Sequence, residues 1–281
     1  MSTTSTVSTA PAAARTRPGY RVTGLRVLRA EWAKFWSLRS TWITQAISLL
    51  LLVAVGLVAA AHYSPQLASQ QAGHHLISVG GNAVAIALGG MTLAQLATGV
   101  LGVLFAAGEY STGMIRSTLA AVPRRLPVLW SKTAVFGGVT LVLATAGAFA
   151  SFLGGEHLLA GQPIALSLSS SGVVRCLLGA GAYLALVAVM GVALGALLRS
   201  VAGGIATLIG GLMLLPVVTD LLPASWADGV SPYLPGTAGD AIFALTRDSN
   251  TLSPAAGLAV FAGWAVLLLG LAAWRLMRTD A

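Results

Sequence analysis

The chain has 281 residues, of which 56% are hydrophobic and only 9% are charged, and its formal net charge is +8. A soluble domain carries roughly 25% charged residues, so this composition excludes an ordinary soluble protein and predicts an integral membrane protein. We attribute the positive charge to membrane topology and not to nucleic-acid binding, because it is concentrated in the segments between long apolar runs.

The residues before the first long apolar run divide into two parts. Residues 1–19 are rich in Ser, Thr, Ala and Pro, and this composition predicts a disordered cytoplasmic tail. They do not resemble a secretory signal, because no apolar core follows a short basic start. Residues 20–42 place apolar side chains at helical spacing, with Lys34 pointing away from them, and predict an amphipathic helix in the membrane interface. A cytosolic extension of the first span is the alternative. The side chains expected at headgroup level are Trp32, Phe35, Trp36 and Arg39.

Residues 43–274 form the predicted transmembrane domain. A hydrocarbon core about 30 Å thick takes about 20 residues of helix. The apolar runs of that length are approximately 43–61, 83–107, 133–153, 174–198, 202–222 and 254–274. Only Arg199 and Ser200 separate the fourth and fifth runs, which predicts a tight helical hairpin. The expected fold is therefore all-α, with six transmembrane helices.

The basic residues are distributed unequally between the two sides of the membrane. With six spans, both termini, including residues 275–281, share one side with the segment between spans two and three and with the Arg199 turn. That side holds 14 of the 16 Lys and Arg residues, and only Arg175 and Arg247 remain on the other. The positive-inside rule therefore predicts that both termini lie in the cytoplasm, and we expect a multi-pass protein of the plasma membrane.

The cytoplasmic segment between spans two and three, "GEYSTGMIRSTLAAVPRRLPVLWSKT", is longer than most connections between helices. Its "STGMIRSTLAAV" part predicts a short helix that Ser111 or Thr112 caps and Pro123 ends. Such a helix, held at the cytosolic ends of two spans, is suited to docking in a groove of another protein. A lipid-facing helix with snorkelling arginines is an equally open alternative.

Two motifs of the chain resemble those of a known family. "LRAEWAKFWSLRSTW" before the first span and "GEYSTGMIRSTLAAVPRR" after the second are similar to motifs in permease subunits of bacterial ATP-binding-cassette transporters of the type-2 exporter class, and the span number and loop sizes also fit. The resemblance implies that the second motif is a coupling helix seated in a cleft of a separate ATPase subunit. It further implies a second permease copy or a sister permease. The residues assigned to ATPase coupling are Glu109, Tyr110, Gly113, Arg116, Leu119, Pro123, Arg124 and Arg125.

No nucleotide site is expected in this chain. A phosphate-binding loop needs a lysine after a glycine-rich turn, and neither Lys34 nor Lys132, the only two lysines, follows one. We therefore expect no catalytic residue and no bound cofactor, with ATP and Mg²⁺ on the partner subunit. The histidines of the first external loop lack an accompanying Cys or carboxylate, so no metal site is expected.

Other polar and small residues of the spans have structural interpretations. Gly191 and Gly195 form a G-x-x-x-G pair that predicts close helix packing, and Pro216 predicts a bend or loosening of span five. Asp220 is expected to be solvated near the outer interface, and Arg175 to pair with it or with Glu156.

The external loop, residues 223–253, predicts one or two re-entrant or interfacial helices.

Two other classes of protein remain open. A secondary transporter needs midplane ionisable groups or broken helices, and the spans are nearly free of both. A non-transporting membrane scaffold leaves the cytoplasmic segment without a role. The permease hypothesis is therefore preferred. It implies that the protein contacts membrane lipids and transports an amphipathic or hydrophobic substrate.

Overall fold

A computed structural model describes residues 23–64, 82–115, 118, 125–221, 229–247 and 251–278, and these ranges contain helices and no strand. Helices α1 to α5 are Gly24–Ser37, Arg39–Ala61, Ala83–Ala87, Met91–Ser111 and Leu126–Leu158. Helices α6 to α10 are Val173–Leu198, Val201–Ile209, Leu215–Asp220, Pro235–Phe243 and Pro254–Arg278, with a π-helical turn at Gly210–Leu214 and a 3₁₀ turn at Ser231–Tyr233.

Six helices in the described ranges are long and apolar enough to cross a membrane. They are α2, α4, α5, α6, the continuous stretch from α7 into α8, and α10. This confirms the predicted all-helical, six-span membrane protein. The hairpin between spans four and five is also confirmed, because Arg199 takes a left-handed conformation at φ 53° and Ser200 caps α7 by accepting a hydrogen bond from the Gly203 amide.

Helix α6 lies at the centre of the bundle and contacts α4, α5, α7, α9 and α10. Its closest neighbour is α4, and glycines set the spacing between the two. A Cβ on Gly191 would lie 2.5 Å from the carbonyl oxygen of Gly99, and a Cβ on Gly195 would lie 2.6 Å from that of Val103. The two glycines therefore lie where the backbones of α4 and α6 meet, as expected for small residues between membrane helices.

The second and third spans differ most from their predicted bounds. The second is interrupted at Leu88–Gly90, which separates the short buried helix α3 from α4. The third begins at Leu126 instead of residue 133, because Pro127 lies in the first turn of α5, where its missing amide proton costs nothing. The segment between spans two and three is therefore shorter than predicted, and Lys132 lies inside a helix.

The fifth span changes its helical geometry just before Pro216. The π-helical turn Gly210–Leu214 directly precedes α8, whose second residue is this proline. Proline cannot donate to the carbonyl four residues earlier and its ring crowds that carbonyl, so a local widening of the helix relieves both problems. The backbone at Gly236 packs closely against this π-helical turn, since a Cβ on Gly236 would lie 2.4 Å from the Leu212 carbonyl oxygen.

Helix α9 turns back into the bundle at the end opposite α1. Trp264 donates to the carbonyl of Tyr233 over 3.0 Å, just before α9 begins. At its other end Arg175 donates to the carbonyls of Ala244 and Ile242, over 2.8 and 3.4 Å. Arg175 therefore binds helix-end carbonyls and not Glu156, whereas the side chain of Asp220 lies outside the described structure. We call the two ends of the bundle the α1 end and the α9 end.

Candidate functional site: a buried charge cluster

Four charged side chains meet at the α1 end, and we call them the charge cluster: Glu31 and Lys34 from α1, Glu109 from α4 and Lys132 from α5. The Lys132 Nζ atom lies 2.9 Å from Glu31 Oε2 and 2.9 Å from Glu109 Oε1. The Lys34 Nζ atom lies 2.9 Å from Glu31 Oε1 and 3.2 Å from Glu109 Oε1. Each lysine therefore bridges the same two carboxylates, and three helices are joined by charge-assisted hydrogen bonds.

Three of the four side chains in the cluster are shielded from solvent, and the cluster is electrically balanced. Glu31 is 1% exposed, Glu109 5% and Lys132 4%. Burying an ion costs several kcal/mol unless an opposite charge and hydrogen bonds compensate it, and two lysines against two glutamates supply both. The pKa of Lys34 lies above its ordinary value of 10.5: burial opposes the shift, but the hydrogen bond and charge of Glu31 and the charge of Glu109 outweigh it.

The cluster also holds the segment between α4 and α5. The Lys34 Nζ donates to the hydroxyl of Thr118 over 3.3 Å. The chain leaves α4 through Gly113, whose φ of +73° favours glycine because it has no Cβ. Ile115 then packs into the protein and is 7% exposed. The beginning of the segment is thus attached to α1 by a polar contact and to the bundle by an apolar one.

Three phenylalanines line the membrane side of the cluster. The ring centroids of Phe35, Phe105 and Phe136 lie 5.4–6.2 Å apart. The Lys132 Nζ lies 4.2 Å from the centroid of the Phe105 ring, within the range of a cation–π interaction. These rings place apolar surface beside the salt bridges of Lys132, where an electrostatic interaction is stronger than in water.

The structure corrects the predicted contact surface of α1. Phe35 is fully buried, so the expectation that it faces lipid headgroups is wrong for this residue, whereas Trp32 and Trp36 are half-exposed and Arg39 is exposed. The buried face consists of Val27, Glu31 and Phe35, which repeat every four residues. Two helix faces carry apolar residues, and their spacing alone does not say which one the protein covers.

The sequence analysis did not single out Glu31. It predicted that Lys34 points away from the apolar face of α1, whereas in the structure its Nζ contacts Glu31 and Glu109. One signal was present: the chain has 16 basic residues but only two lysines, and both belong to the cluster. Glu109 was assigned to ATPase coupling because of the resemblance. In the structure its Oε1 bonds to the two lysines, while its buried Oε2 has no hydrogen-bond partner.

Two further coupling residues contact the neighbouring helix ends. The Arg199 guanidinium lies 5.1 Å from the ring centroid of Tyr110, and Arg125 donates to the Leu276 carbonyl over 3.2 Å. Arg275 donates to the carbonyl of Leu197 at the end of α6. Cations at helix C-termini interact favourably with the helix dipole, so these contacts stabilise the α1 end beside the cluster.

The remaining predicted coupling residues lie outside the described structure. They are Arg116, Leu119, Pro123 and Arg124. Within the described ranges, no group of three or more His, Cys, Asp or Glu residues is arranged to hold a metal ion. The chain matches no protein-family model, and no curated protein is significantly similar to it.

Proposed function

We propose that the chain is the permease subunit of an ATP-binding-cassette exporter, which moves a substrate outward with energy from ATP hydrolysed by a separate ATPase subunit. The observation that carries the proposal is the charge cluster. It joins the segment with the family-like motif to α1, α4 and α5 through Lys34 and Lys132. When a partner protein displaces this segment, the contacts of the cluster carry the displacement to α1, α4 and α5 together.

The proposed mechanism follows these connections. Two ATPase subunits close on ATP and displace the segment between α4 and α5. Thr118 is bonded to Lys34, and Lys34 to Glu31 and Glu109, so α1 and α4 move with the segment. The backbone contacts at Gly191 and Gly195 pass this movement to α6, the central helix. In a pair of permeases, either two copies or a copy and a sister permease, this rocking opens a path between the two bundles.

The orientation belongs to the same proposal. The first described residue, Thr23, and the last, Arg278, lie at the α1 end with most of the described basic residues, so we assign this end to the cytoplasm of a plasma-membrane protein. The half-exposed Trp32, Trp36, Trp130 and Trp274 then lie at that membrane–water interface, where tryptophan is enriched. The cytoplasmic ATPase subunit, which holds ATP and Mg²⁺, would meet the segment next to this interface.

The first test is purification of the tagged chain from native membranes in mild detergent, followed by mass spectrometry of what accompanies it. We expect a P-loop ATPase with the wild type and with the control Arg29→Glu, which changes an exposed charge on α1. We expect its loss with Arg116→Glu in the family-like motif. Folded wild-type protein that carries no ATPase in repeated preparations would contradict the proposal, and so would unchanged ATPase binding and stimulation with Arg116→Glu.

A secondary transporter is a second candidate, favoured by the interrupted second span and the π-helical turn in the fifth. Broken helices line the substrate sites of many secondary transporters. Here the interruption is packed closely against α2, since a Cβ on Gly90 would lie 2.5 Å from the carbonyl oxygen of Leu51. Substrate movement in vesicles that contain this chain alone, driven by an ion gradient, would favour this candidate over the permease.

A further inference from the structure

An acidic side chain lies on the exposed surface of α9. The flanking residues Gly239 and Ala241 are buried against the bundle, whereas Asp240 is exposed. Every salt bridge found between described residues involves Glu31 or Glu109, and Asp240 forms no ion pair or hydrogen bond within the described ranges. Asp240 is therefore a carboxylate without a protein partner in the described part of this chain.

The position of α9 places this carboxylate at the depth of the hydrocarbon. A Cβ on Gly179, six residues into α6, would lie 2.7 Å from the Ile242 carbonyl oxygen. Six residues of helix rise about 9 Å, whereas a 26-residue helix extends only about 4–5 Å beyond each side of a 30 Å core. The other end of α9 is deeper, because Gly236 contacts Leu212 inside the fifth span. Asp240 lies between these two levels.

A carboxylate at this depth is costly against lipid tails. Ionisable side chains inside membranes almost always face a protein interior or a water-filled cavity. The helix dipole of α9 does not compensate this cost, because Asp240 lies in the last turn, where an acidic side chain is disfavoured. The surface that carries Asp240 is therefore turned away from lipid in the working protein.

The surface of the fifth span beside α9 is apolar. Helix α9 packs against the π-helical turn of the fifth span, whose 18-residue window is only 17% buried within the chain. That span exposes large side chains near its α9 end, namely Leu214, Leu215, Val217 and Val218. A single carboxylate beside an apolar surface favours a ligand that combines a positive charge with apolar groups.

We propose that Asp240 binds the cationic group of the transported substrate, which makes the substrate class an amphipathic cation. The proposal rests on the permease function above. The carboxylate lies on the wall of the path between the two permeases, within the half of the membrane nearest the α9 end. The positive group is attracted to the carboxylate of Asp240, and the apolar part lies against the exposed side chains of span five.

The first experiment tests whether Asp240 faces water. Cys176 is the only cysteine and is buried, so single-cysteine variants are readily made in a Cys176→Ala background. We expect Asp240→Cys to react with a charged, membrane-impermeant methanethiosulfonate in native membranes. The control Val266→Cys, 67% exposed on α10, should remain unreactive because lipid surrounds it. An inert Asp240→Cys in a folded protein would overturn the proposal.

The second experiment measures binding of tetraphenylphosphonium, an amphipathic cation, to the full chain in lipid nanodiscs. Loss of the attraction between opposite charges in a site of low dielectric weakens binding by about tenfold or more, and we expect that loss for Asp240→Asn. The control Glu156→Gln removes one negative charge from the same end outside α9 and should bind as the wild type does. Equal binding by all three proteins would overturn the proposal, as would no binding by the wild type.

Three further outcomes separate this proposal from related ones. If Asp240→Asn lowers the mass of the oligomer and leaves cation binding unchanged, the carboxylate is a contact between subunits and the proposal is wrong. If an ATPase copurifies but tetraphenylphosphonium does not bind, the permease function stands and the substrate class fails. If no ATPase copurifies, the permease function fails, whatever the binding result is.

Discussion

Lys132 provides the sharpest test of the charge cluster. Its Nζ atom lies 2.9 Å from both Glu31 Oε2 and Glu109 Oε1, and its side chain is 5% exposed. In the variant Lys132→Met, two buried carboxylates share Lys34 alone. Removing one partner from a buried ion pair costs about 3–5 kcal/mol, mainly because an opposite charge stays buried without compensation. For a chain of this size we expect the unfolding temperature to fall on the order of 10 °C.

The assay is thermal unfolding in lipid nanodiscs, with Lys34→Met as the matched control. The side chain of Lys34 is 29% exposed, so water screens its interactions and we expect a loss of about 1 kcal/mol. Adding Glu109→Gln to Lys132→Met should recover part of the loss, because it removes the excess buried charge. If Lys132→Met and Lys34→Met lower the unfolding temperature equally, the cluster does not have the electrostatic role described here.

Three further predictions concern pH, packing and the aromatic core. Because the pKa of Lys34 is raised, its contribution to the free energy of unfolding is fully present below the ordinary value of 10.5 and is lost as pH rises through the higher folded-state value. The difference in unfolding temperature between wild type and Lys34→Met should therefore be constant near neutral pH and shrink only above 10.5, as thermal scans across pH would show. Gly191→Ala forces a Cβ to within 2.5 Å of a carbonyl oxygen and should cost about 1–3 kcal/mol in denaturant unfolding, whereas Gly263→Ala, with open space around it, should be neutral or slightly stabilising. Phe35→Ala empties a fully buried site and should cost about 3–5 kcal/mol; the same loss with the half-exposed Trp36→Ala would contradict the packing described for α1.

Much of the membrane architecture was predictable from local patterns. An apolar run long enough to span a bilayer becomes a helix wherever it lies, because a backbone in lipid must satisfy its hydrogen bonds internally. The six spans and the Arg199–Ser200 hairpin follow from that rule. The start of α5 was missed because Pro127 was taken as part of a loop, although proline in the first turn of a helix is favourable.

The candidate site was predicted only in part. Glu109 and Tyr110 were assigned through the family-like motif, and both lie at or beside the cluster. Glu31 gave no such signal, because an acid among arginines on an amphipathic helix is typical of a solvated surface. The sequence predicted a re-entrant or interfacial helix in the external loop, but it did not indicate that Asp240 lies at the depth of the hydrocarbon.

The sequence by itself determined that this is an all-helical, six-span membrane protein, because length, apolarity and turn residues act over a few neighbouring positions. Only the tertiary structure decided which face of α1 the bundle covers and that both lysines bridge Glu31 and Glu109. It also decided that Arg175 closes the end of α9. These contacts join residues up to 101 positions apart in the chain, and their partners are chosen by helix packing, which no local pattern records.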